Sequence, residues 1–174
     1  MNISKKFFLI IILLFSFEAV TNAEIPYYLD FKFILNESVA GKKAQTELKN
    51  KLENGMKSLS NREKKIQEEE KKIIAQKKVI SSEEYKKQVA NLRSKVKSLQ
   101  KERNNLIETV AKQRSKARNE LLKNLNPIIK DYMKEKKIRM VVDKKSLLLA
   151  DENLNITDDI INLLNKKIKS IKLN

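Results

Sequence analysis

Residues Asn91–Gln113 read NLRSKVKSLQKERNNLIETVAKQ. The apolar residues Leu92, Val96, Leu99, Leu106 and Val110 are spaced 4, 3, 7 and 4 apart. Lysine, arginine, serine, asparagine and glutamine fill most of the space between them. The period is helical, and the apolar stripe is only about two residues in seven wide. So narrow a stripe suits a coiled-coil seam better than the underside of a globular core. The stretch therefore predicts a long helix that needs a partner of its own kind.

The partner precedes it. From Gly41 to about Asn124 there is no proline, and Gly55 is the only further glycine. Leu52, Leu59, Ile66, Ile73 and Ile80 recur every seven residues, with Leu48 and Met56 adding to the seam near its start. Glu63, Glu70 and Lys77 occupy companion positions and fit a dry seam badly. A second train follows: Tyr85, Leu92, Leu99 and Leu106 in one position, Val89, Val96, Val110 and Ala117 in the other, with Arg103 as a gap. The trains differ in phase, and ISSEEY (residues 80–85) separates them. Ser81 followed by Glu84 fits a capping box at the start of a new helix. We therefore expect two helices of about 40 residues, each roughly 60 Å long, folded back on each other at residues 79–84. Their seam is Leu52, Leu59, Ile66, Ile73, Ile80, Val89, Leu92, Val96, Leu99, Leu106 and Val110.

Outside residues 41–124 the pattern changes. IPYYLDFKFILNES predicts a strand at Ile25–Leu29 and a short helical turn through Phe31, Ile34 and Leu35. Asn36 to Gly41 then serves as a flexible joint. In LNPIIKDYM, Pro127 suits the first turn of a new helix with Asn126 as its N-cap. IRMVVD and SLLLAD each read as a strand. Thr157 is placed to cap a closing helix, with Asp158 and Asp159 at its positive end and Lys166, Lys167 and Lys169 at its negative end. The fold class expected is α+β and mostly α. Residues 24–40 and 125–174 form a small head, and residues 41–124 form a helical-hairpin arm. So small a head is marginal alone, and exposed strand edges invite pairing. Ile25, Leu29, Ile138, Met140, Val141, Val142, Leu147, Leu148 and Leu149 are the residues expected to join heads into an oligomer.

Residues 1–23 are expected to be a cleavable secretory signal peptide. Lys5 and Lys6 precede an apolar run from Phe7 to Phe17, and Thr21 and Ala23 are small residues at a cleavage site. Glu18 ends the run short of the roughly 20 residues needed to span a membrane. The chain has no cysteine to carry a lipid.

Without cysteine or histidine the chain has no disulfide framework, no thiolate and no imidazole base or metal ligand. AGKKA (residues 40–44) shares a glycine–lysine pair with phosphate-binding loops but lacks their earlier glycine and following Ser or Thr. The acidic clusters Glu68–Glu70, Glu83–Glu84, Asp151–Glu152 and Asp158–Asp159 suit solvated faces and helix starts. DENLNITDD lacks the central glycine of a calcium loop. No catalysis, cofactor or metal is expected. The arm is strongly basic, with 24 Lys/Arg against 11 Asp/Glu between Lys42 and Lys123. Such a surface keeps arms soluble and apart, and also attracts anionic partners. Nucleic acid is not expected, because Tyr85 is the arm's only aromatic residue.

The two ends resemble the OmpH/Skp family of periplasmic chaperones. YYLDFKFILNESVAGKKAQTELKNKL is similar to the family's first strand, aspartate-led turn and opening of the first tentacle helix. IRMVVDKKSLLLADENLNITDDIINLLN is similar to its closing strand pair and final helix. Leu149, Glu152 and Asn155 depart from the tyrosine, proline and aspartate often found there. The resemblance implies a homotrimer with three tentacles around a cavity. It also implies ATP-independent holding of unfolded outer-membrane proteins in the periplasm. Positive arms suit acidic client surfaces and leave anionic lipid or lipopolysaccharide as a further contact. A structural coiled-coil spacer, or an adhesive or lipid-binding arm of the envelope, is the rival expectation.

Overall fold

The computed structural model describes residues 25–173, so the expected leader, residues 1–23, lies outside the described residues. In chain order the elements are strand β1 (Tyr27–Leu29), helix α1 (Phe31–Glu37), helix α2 (Val39–Gln76), helix α3 (Ser82–Lys136), strand β2 (Val141–Asp143) and helix α4 (Thr157–Lys167). Two 3-10 turns, Lys144–Ser146 and Glu152–Leu154, lie between β2 and α4.

Helices α2 and α3 have 38 and 55 residues, about 57 and 82 Å at 1.5 Å per residue. They form the antiparallel hairpin that the two heptad trains predict. The chain reverses over residues 77–81, slightly ahead of the expected 79–84. Ser81 caps α3, its Oγ accepting from the Glu84 N–H at 3.2 Å. Gly55 has a packing role that its isolation in the sequence did not announce. A Cβ there would stand 2.5 Å from Leu106 Cδ2, so the bare backbone admits the leucine.

The strands pair in parallel, Tyr27 with Val141, Tyr28 with Val142 and Leu29 with Asp143. On the other edge of β1, the Ile156 N–H donates to Tyr28 O at 2.9 Å. Beneath them Leu29, Ile34, Leu125, Ile128, Ile160 and Leu164 form the core of the base. The base is stitched by short polar side chains. Asp30 caps α1 by accepting from the Phe33 N–H (2.8 Å), while its own N–H donates to Thr157 Oγ1 (2.9 Å). Tyr132 donates its hydroxyl to Asp159 Oδ2 at 2.5 Å. Burial, followed by that bond to a carboxylate, pushes the phenol up to about 12.

Several local expectations need correction. Strand β1 starts at Tyr27, leaving Ile25 exposed outside it. SLLLAD is not a strand. Asp143 Oδ1 accepts from the Lys145 N–H (3.1 Å) and Asp151 Oδ1 from the Asn153 N–H (2.9 Å). These carboxylates wind a tight turn on each side of the apolar run, and it never reaches a ladder. Thr157 is the first residue of α4 rather than its cap. Asn155 Oδ1 accepts the Thr157 N–H (3.0 Å) instead.

Pro127 does not begin a helix but sits inside α3, which runs unbroken to Lys136. An interior proline costs about 3 kcal/mol. Burial of Leu121, Leu125 and Ile128 on one face of the same helix outweighs it, at roughly 1.5–3 kcal/mol for each large apolar side chain.

The Asn36–Gly41 joint is also tighter than expected. Ser38 ends α1 and caps α2 at once, its buried Oγ accepting from the Gly41 N–H (3.2 Å). The Val39 N–H donates to Asn165 Oδ1 of α4 (2.8 Å). At Gly41 a Cβ would fall 1.9 Å from the carbonyl oxygen of Leu35, a backbone atom with little room to yield. The glycine is thus required by contact, not by flexibility.

Two substitutions test this reading through denaturant midpoints. Gly41→Ala should destabilise the chain by about 1–3 kcal/mol, the usual range for overpacking. Lys137 ends α3 in the left-handed region at φ 57°, where a side chain costs roughly 1–2 kcal/mol. Lys137→Gly should therefore stabilise it, by up to about 1 kcal/mol.

Candidate functional site

The hairpin arm is the largest feature without an evident structural client of its own, and its two faces differ. Its seam closes by complementary gaps. Glu63 and Arg103, the misfits of the two heptad trains, meet across the hairpin, with Arg103 Nη2 donating to Glu63 Oε2 at 3.0 Å. Beside them Arg62 forms a two-pronged pair with Glu102. Lys95 Nζ reaches both oxygens of Glu69 at 2.6 and 2.7 Å, and Lys51 Nζ donates to Gln113 Oε1 at 2.9 Å. The partner on α3 moves backward as that on α2 moves forward, which records a single antiparallel register.

Of the expected seam residues, Leu59, Ile73, Leu92, Leu99 and Val110 are buried, and Leu52, Ile66, Ile80, Val89 and Leu106 are half-buried. Val96 differs, being 50% exposed. The stripe of α3 centres on Leu92 and Leu99, and Val96 stands on its flank.

Toward the tip the seam thins to one layer. Ile66 and Ile73 line a shallow groove on each side of the hairpin. One groove is polar, edged by Arg62, Lys65, Lys72, Asn91, Ser94 and Ser98. The other is apolar, with Ile74, Tyr85, Val89, Leu92 and Val96, flanked by Arg93 and Lys97. Ile74 is 60% exposed, and Val79, at the reversal, is 84% exposed. A grouping of this kind offers apolar contact next to positive charge, without an enclosed site. Among the described residues no cluster of His, Cys, Asp or Glu could hold a metal ion, and no helix is long and apolar enough to cross a membrane.

The base holds the other candidate residues. Leu29 and Ile138 are buried, and Val141, Val142 and Leu147 are half-buried. Ile25 and Met140 are exposed, and Leu148 and Leu149 are 96% and 91% exposed. Isolated exposed leucines are ordinary, but adjacent ones between the two aspartate-wound turns form an unfilled apolar point. Sequence reading missed the tip groove. Its signal was Ile74, which falls outside the seven-residue period; Ile66, Ile73, Tyr85, Val89, Leu92 and Val96 lie on the period and were read as seam.

The Arg62 hydrogen bonds hold the Glu102 carboxyl below the usual glutamate range, helped by Ser98 and by the positive charge itself. A carboxyl depressed on folding contributes stability above its unfolded value, about 4.3, and loses it as pH falls through the lower folded value. Arm unfolding, followed by helical circular dichroism, should thus become easier in acid. Glu102→Gln should flatten that acid limb, and high salt should weaken the wild-type effect because the pair is exposed.

Comparison with known proteins agrees with this architecture. A crystal structure of a candidate outer membrane chaperone (OmpH-like) from Caulobacter crescentus CB15 has the same fold, with a TM-score of 0.80 and 21% sequence identity. The likeness covers 90% of this chain and 94% of that one. No curated relative matches. The family model described as "Outer membrane protein (OmpH-like)" matches residues 27–164. That span opens on the first residue of β1 and closes on the buried Leu164 of α4. It takes in both strands, the whole hairpin and the elbow at Ser38–Gly41, and so this chain belongs to the OmpH-like family.

Proposed function

We propose that the chain is an ATP-independent holdase of the periplasm, exported by residues 1–23, that keeps unfolded outer-membrane proteins from aggregating. Residues 24–40 and 125–174 act as the head that joins three copies, and residues 41–124 act as the arm. The observation that carries the proposal is the apolar groove toward the arm tip, where exposed Ile74 and Val96 stand beside Arg93 and Lys97, with exposed Val79 at the reversal beyond it. A holdase needs many weak contacts, and this surface supplies dispersed apolar contact and long-range attraction for acidic segments. Family membership and the chaperone description of the Caulobacter crescentus protein support the same reading.

The direct test dilutes a urea-unfolded outer-membrane protein into buffer with the mature chain and follows light scattering. Suppressed scattering is expected. A spacer would leave aggregation unchanged. Removing seven residues from each helix at the tip keeps the heptad register and shortens the arm by about 10 Å. Holding should fail first for large clients. Raising salt should weaken capture, because exposed charges are screened within about 8–10 Å.

Oligomeric state is a separate measurement. Multi-angle light scattering should give three chains, and Leu148→Asp should dissociate them. Because Leu148 is 96% exposed within one chain, the substitution should leave each chain's helicity intact. Survival of full-mass trimers would place the contact elsewhere.

A further inference from the structure

The segment Ile168–Leu173 follows α4 and lies beyond the span that matches the family. It leaves the helix in extended backbone, with Ile168 at φ −135° and ψ 139°. It then turns back along the arm. Leu173, only 5% exposed, packs in one cluster with Ala44 and Leu48 of α2 and Val110 and Ala117 of α3. Ile171 packs against that cluster and also against the core of the base. Lys169, Ser170 and Lys172 face solvent between these contacts.

The groove that receives Leu173 follows from residue size. Ala44 and Ala117 are small side chains at seam positions, where larger residues would close α2 on α3 by themselves. A leucine from outside the hairpin completes the packing, since a void lined by apolar atoms forfeits its dispersion contacts. The segment is shaped for this role, with apolar residues turned inward, lysines outward and the backbone extended across both units.

We infer that Ile168–Leu173 is a strap, an intramolecular ligand of the Ala44–Leu48–Val110–Ala117 groove that fixes the arm's angle on its base. Other links join the units as well: helix α3 passes through without a break, the Ser38 elbow ties α1 to α2, and the Val39 N–H donates to Asn165 Oδ1 of α4. None of them fills the groove between Ala44 and Ala117. The strap does, with Leu173 in the groove and Ile171 against both cores. The inference is independent of holding activity and of the number of chains in the assembly.

The test uses the full-length chain. Because the chain has no cysteine, Val79→Cys at the tip and Lys166→Cys on α4 provide two exposed sites for spin labels. Labelled chain is diluted into excess unlabelled chain so that only distances within one chain are read. The wild-type strap should give a narrow tip-to-base distribution. Ile171→Asp with Leu173→Asp should widen it by about twofold or more. Amide exchange at residues 44–48 and 110–117 should quicken by about tenfold or more, while Leu125 and Ile160 stay protected.

Leu173→Ala should give a smaller change in the same direction, and Lys172→Ala none. A synthetic peptide of residues 166–174 should bind the double-Asp variant and not the wild type, whose groove is filled. An unchanged distance distribution overturns the inference. So does exchange that quickens equally in the base core, since the segment would then be ordinary core and not a strap.

Discussion

Strands β1 and β2 run parallel, and a parallel pair cannot be closed by a tight turn. It needs a crossover of a dozen residues or more. Here the crossover is α1 and the entire α2–α3 hairpin, from Asp30 to Met140. The arm is thus one long connection between two adjacent strands, and its ends are held together by the Tyr27–Val141 register. This constraint explains the crowded polar stitching in so small a base. Asp30, Ser38, Asn155, Thr157 and Asn165 satisfy backbone groups where four helices and two strands converge. Unpaired buried amides would cost more than the base can supply.

Legibility tracked periodicity. The hairpin could be read from Leu52–Ile80 and Leu92–Val110 because each seam repeats a local rule many times. Both strands were visible as short apolar runs, although the parallel direction was not, since nothing in three residues records it. Pro127 was misread because its local preference for a helix start was weighed alone. The spacing of Ala117, Leu121, Leu125 and Ile128 already carried one helical face through it. SLLLAD was misread for a related reason. Its β propensity was plain, but Asp143 and Asp151 captured the neighbouring amides first. Propensity lost to tertiary burial in one case and to local side-chain bonding in the other.

The candidate site was less legible than the fold. A heptad marks what two helices can bury together but not which of its residues stay open: Val96 lies on the period and is 50% exposed, while Ile74 lies off it. Ile74 and Val96 come to share a groove only when the reversal at 77–81 sets α3 beside α2. The arm's charge was visible as a total, but its arrangement was not. Glu63, Glu69 and Glu102 are each matched by one cation across the hairpin, so the arm's positive excess is carried by its other lysines and arginines. At the base, Leu148 and Leu149 were visible as apolar residues. Their near-complete exposure emerged only with the turns on either side.

The meeting of Glu63 with Arg103 bears on how the hairpin finds its alignment. A strict seven-residue repeat is degenerate: sliding α2 past α3 by one heptad would again place leucine and isoleucine against leucine and valine. A slip one way would set Met56 against Arg103 and Leu48 against Leu106; a slip the other way would offer Arg103 the carboxylate of Glu70 but drive Leu106 into Arg62, where Gly55 had admitted it. The ion pair and the glycine are therefore registration marks on an otherwise repetitive scale, as a single polar core residue can be in a coiled coil. Their energetic contribution is modest, but they distinguish the native alignment from its nearest copies.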